Sequence, residues 1–98
     1  MTEPGPDQQF FDIADAVIRA ANAQCDHAPA NKVSAATLFA AARFNAFAAA
    51  AAAPTPQELA QRRESIVGFL VEQYTQMLRD NLAEYERHLQ QAVQQPAG

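Results

Sequence analysis

Cysteine occurs once in this chain, at Cys25, so no internal disulfide can form. A lone thiol fits a reducing compartment. Basic residues are also scarce. Arg19, Lys32, Arg43, Arg62, Arg63, Arg79 and Arg87 make seven, against eleven acidic residues. They form no basic run, and the net charge is −4 with a pI near 4.9. Nucleic-acid binding depends on Lys and Arg neutralising phosphates, so this balance argues against a nucleic-acid partner. The opening Met-Thr-Glu-Pro-Gly-Pro has neither the positive nor the apolar region of a signal peptide. A cytoplasmic location is expected.

Chemistry-bearing patterns are missing as well. There is no phosphate-binding glycine loop, no dinucleotide glycine motif and no nucleophile elbow. Ser34 and Ser65 have no neighbouring base or acid motif. Cys25-Asp26-His27 resembles a metal fragment, but a structural zinc site needs about four ligands at paired spacings. The only other histidine, His88, is distant; it shares a helix face with Glu84, but the Glu-x-x-His pairs of a di-iron bundle are absent. No enzyme activity, metal or cofactor is expected.

What is present is helical. The 98 residues suit one domain, and no strand-like alternation or long repeat occurs. Hydrophobic residues make up 49%, a figure inflated by alanine, so a core must come from Phe, Ile, Leu, Val, Met and Tyr. Residues 1–6 carry two prolines and a glycine and are expected to be disordered. Asp7 is placed to cap a first helix over about 8–25. Phe10, Ile13, Ala14, Val17 and Ala21 then share one face, with Phe11, Ile18 and Cys25 alongside. Pro29 puts residues 26–32 in a loop. Ser34 reads as the cap of a second helix over 34–52, with Val33 and Leu38 at the spacing of a hydrophobic staple. The stretch 35–53 approaches membrane-spanning length, but Arg43 and Asn45 near its middle argue against a membrane role. Thr55-Pro56-Gln57-Glu58 is a capping box with proline at the first helical position, which starts a third helix over 56–92. A disordered tail is expected over 94–98.

The third helix is too long for its neighbours. At ~1.5 Å per residue it spans roughly 55 Å, against about 30 Å for each of the others. Ile66, Leu70, Tyr74, Leu78 and Leu82 step by four, so the apolar stripe drifts around the helix. Either the second half packs on another chain, or the helix kinks near Gly68 or Asn81 and yields a fourth helix. The expected architecture is all-α, a three-helix antiparallel bundle over residues 7–93. A homo-oligomer, with a dimer favoured, is the expected state.

Arg43 stands out because Phe39, Phe44 and Phe47 surround it on the helical arc. A charge held there needs an anionic partner, for which Asp15 is placed best and Glu84 next, unless its stem snorkels to water. It could instead anchor an anionic ligand. Asn22, Asn45 and Asn81 are the other polar groups of note, and local helix bonding or a plain surface position suits them better than catalysis. The run Ala48–Ala53 would allow another helix to approach closely.

The segments F-F-D-I-A-D-A-V-I-R-A-A-N at 10–22, K-V-S-A-A-T-L-F-A-A-A-R-F-N-A-F at 32–47 and V-E-Q-Y-T-Q-M-L-R-D-N-L at 71–82 carry a resemblance. The chain resembles a family of small uncharacterised proteobacterial helical proteins, a domain of unknown function. The resemblance implies a bacterial, soluble, all-helical protein, and it marks Asp15, Asn22, Arg43, Asn45, Tyr74 and Asn81 as motif positions. It supplies no activity. A small structural or protein-interaction module is therefore the expected role, with an anionic-ligand binder anchored by Arg43 as the alternative.

Overall fold

The computed structural model describes residues 6–94 and contains three helices and no strand among them. They are α1 (Gln8–Gln24), α2 (Ala30–Ala52) and α3 (Pro56–Gln94). The all-α fold class read from the sequence is the observed one. The disorder expected over 1–6 and 94–98 lies outside the described residues, except at Pro6 and at Gln94, which closes α3.

Two of the three starts follow the local cap signals. The Asp7 side chain accepts from the Phe10 backbone N–H at 2.9 Å, which satisfies one of the free donors of the first turn of α1. Thr55 Oγ1 accepts from the Glu58 N–H at 3.1 Å, and Pro56 opens α3 where a missing donor costs nothing. The capping box is half closed. Glu58 turns forward and pairs with Arg62 at 3.0 Å rather than reaching back to Thr55.

α2 starts earlier than a Ser34 cap predicts. The helix begins at Ala30, and Ser34 lies inside its second turn. The Pro29 carbonyl accepts from the N–H groups of both Lys32 and Val33, at 3.0 and 3.1 Å, and so initiates the ladder four residues early. Proline lacks a donor, but a residue at a helix start need only offer its carbonyl. The loop therefore shrinks from 26–32 to 25–29. It is a tightened C-terminal turn in which Cys25, Asp26 and His27 donate back to Asn22, Ala23 and Gln24. At the other end, Ala53 donates to Ala50 and Pro54 cannot extend the ladder.

α3 is one helix. It runs without interruption through Gly68 and Asn81, so neither the break nor the fourth helix occurs. Its 39 residues span about 58 Å at the usual rise.

The chain divides into two compact units, Met1–Ala48 and Ala49–Gly98. In the first, α1 and most of α2 form a helical hairpin around the only buried hydrophobic side chain among the described residues, Val33, at 9% exposure. Ala14, Ala21 and Ala28 are half-buried. The second unit holds the last turn of α2, the Pro54 turn and α3, with Ala49, Leu59, Ile66 and Leu70 half-buried. The Phe, Ile, Leu, Met and Tyr side chains expected to make a core are exposed or half-exposed instead.

Candidate interaction surfaces

The hairpin carries a groove built by spacing. Val33, Ala36, Thr37, Ala40, Ala41 and Phe44 of α2 recur at intervals of three and four, so they share one face. Val17, Ala20, Ala21 and Gln24 of α1 form the opposing wall. Alanine dominates both walls and leaves a volume of about 780 Å³. The Thr37 hydroxyl in this groove donates to the Val33 carbonyl at 2.7 Å, so it is already satisfied. Asn45 also lines the groove.

α2 is apolar on its other sides too. Leu38, Phe39 and Phe47 are exposed, Phe39 at 70%, and the rings of Phe44 and Phe47 lie 5.9 Å apart. By length and composition this helix could cross a membrane, with a window of mean hydropathy 1.3. Arg43 lies near its midpoint. A charge there costs an inserted helix about 2.5–3.5 kcal/mol. Asn45 and Thr37 add polar groups within the same span.

The second surface is the C-terminal half of α3. Tyr74, Met77, Leu78, Leu82, Tyr85 and Leu89 are all exposed, Leu82 at 53% and Leu89 at 68%.

The candidate network of Arg43, Asp15, Asn22, Asn45, Tyr74 and Asn81 is not assembled as a buried set, because all six are exposed. Arg62–Glu58 is the only ion pair among the described residues, so the expected pair of Arg43 with Asp15 is not formed. The guanidinium is solvated where it stands and needs no partner. Arg43 is also not among the residues that line the groove. Asn81 serves its own helix, donating from Nδ2 to the Met77 carbonyl at 2.8 Å. Asn22 lends its carbonyl to the turn after α1. Cys25 is a free, exposed thiol, and no metal-holding cluster of His, Cys, Asp or Glu exists among the described residues. The surface that sequence reasoning missed is the groove, because its alanines read as propensity rather than as a wall.

A family model described as a protein of unknown function, DUF3144, matches residues 10–86. The chain belongs to the DUF3144 family. The match spans both helices of the hairpin and most of α3, so both surfaces fall largely within the DUF3144 region. No curated protein and no solved structure matches this DUF3144 chain.

Proposed function

We propose that this protein is a small protein-interaction module without catalytic activity, working in the cytoplasm and outside the bilayer. One observation carries the reading. Large apolar side chains are exposed along all three helices, while Val33 alone is buried among the described residues. Soluble proteins rarely leave contiguous apolar area of this kind uncovered unless a partner covers it. The polar groups present are dispersed rather than convergent, which favours a binding surface over a reaction centre. Hydrogen–deuterium exchange at a series of protein concentrations tests the proposal. Amides of α3 around Leu82 should exchange fast in dilute protein and become protected on association. A monomer that protects all three helices equally at every concentration would refute it.

A further inference from the structure

The C-terminal half of α3 has a flank that is complementary to itself. Val71, Thr75, Leu78, Leu82, Tyr85, Leu89 and Ala92 follow one another at steps of four, three, four, three, four and three. That is an unbroken seam of three heptads on a continuous helix. One flank of the seam carries Glu72, Arg79 and Glu86, and the other carries Tyr74, Asn81 and His88. Arg79 and Glu86 make no ion pair among the described residues.

We propose that this seam receives a second copy of the chain, antiparallel to the first. The inference rests on the interaction-module reading and names its partner. In an antiparallel helix pair, each flank meets its own counterpart running the opposite way. With the two-fold axis between Leu82 and Tyr85, Arg79 faces the partner's Glu86 and Glu86 faces the partner's Arg79. Asn81 then lies opposite the partner's His88. In a parallel pair opposite flanks would meet, so Arg79 would face Tyr74 and Glu86 would face Asn81, with no charge paired. Charge complementarity therefore selects both the occupant and its direction.

Sedimentation of the full chain and two charge swaps tests the proposal. The unmodified protein should sediment as a dimer. R79E and E86R should each weaken self-association roughly tenfold, because each converts both attractive contacts into repulsive ones. An equimolar mixture of the R79E and E86R chains should recover or exceed the original affinity, since every flank contact is then complementary. Far-UV circular dichroism confirms that each variant keeps its helices. A dimer unaffected by either swap, or a mixture that is not rescued, overturns the antiparallel seam while leaving the interaction-module reading intact. A monomer at high concentration with fast-exchanging α3 amides overturns the second copy as occupant and points to a different partner. A monomer whose α3 amides are protected overturns both.

Discussion

Gly68 offers the most direct test of how α3 is held. It sits in an unbroken helix, twelve residues after its start at Pro56, and it is exposed. A Cβ added there would meet nothing within 4 Å. Glycine in a helix interior is about 0.8–1.0 kcal/mol less favourable than alanine, because the unfolded chain loses more freedom on ordering it. With no steric term to offset that gain, Gly68→Ala should stabilise the protein by nearly the full amount, about 1 kcal/mol. For a unit of this size that corresponds to a rise in Tm of roughly 4–8 °C. Urea and thermal unfolding followed by far-UV circular dichroism, at two protein concentrations, would measure it. The position also lies N-terminal to the proposed seam, so the gain should appear at both concentrations. An unchanged or lowered Tm would show that a neighbour already occupies the space beside Gly68, and the account of α3 as open on that side would fall.

Other substitutions probe the remaining features. Thr55→Ala should cost about 1 kcal/mol by removing the acceptor for the Glu58 N–H, read as a lower urea midpoint. Val33→Ala should cost about 1.5–2 kcal/mol, the loss of roughly two buried methylene equivalents plus a small void, with α1 and α2 amides losing exchange protection first. Arg43→Ala should change stability by no more than about 0.5 kcal/mol, because an exposed arginine without an ion pair leaves no charge stranded. A loss of several kcal/mol there, in the same unfolding assay, would mean that the side chain is paired in solution after all.

The sequence was most informative where the physics is local. Asp7 and Thr55 announce their helices because a cap needs only a side-chain oxygen three residues ahead of a free N–H. Ser34 carries the same chemistry but was pre-empted by the Pro29 carbonyl, which acts through the backbone and leaves no trace in residue type. The absence of an Arg43–Asp15 pair was illegible for a different reason. Whether a charge among phenylalanines is buried depends on what covers that face, and a helix pattern does not state it. The four-residue steps from Ile66 to Leu82 drift around the helix and suggested a break. A four-three alternation from Val71 onward runs beside them on the same uninterrupted helix. The alanine-walled groove was hidden because alanine serves helix propensity and close approach equally well.

Thr75 sits inside that alternation, and at first sight a hydroxyl is a poor choice for a dry contact. Its Oγ1 donates to the Val71 carbonyl at 2.7 Å, one turn earlier on the same helix. The proton that would otherwise demand water is therefore already engaged before any partner arrives. What the side chain then presents outward is chiefly its methyl group. Covering it would strip away little bound solvent, so the helix surface is pre-dried at the one aliphatic hydroxyl on its seam.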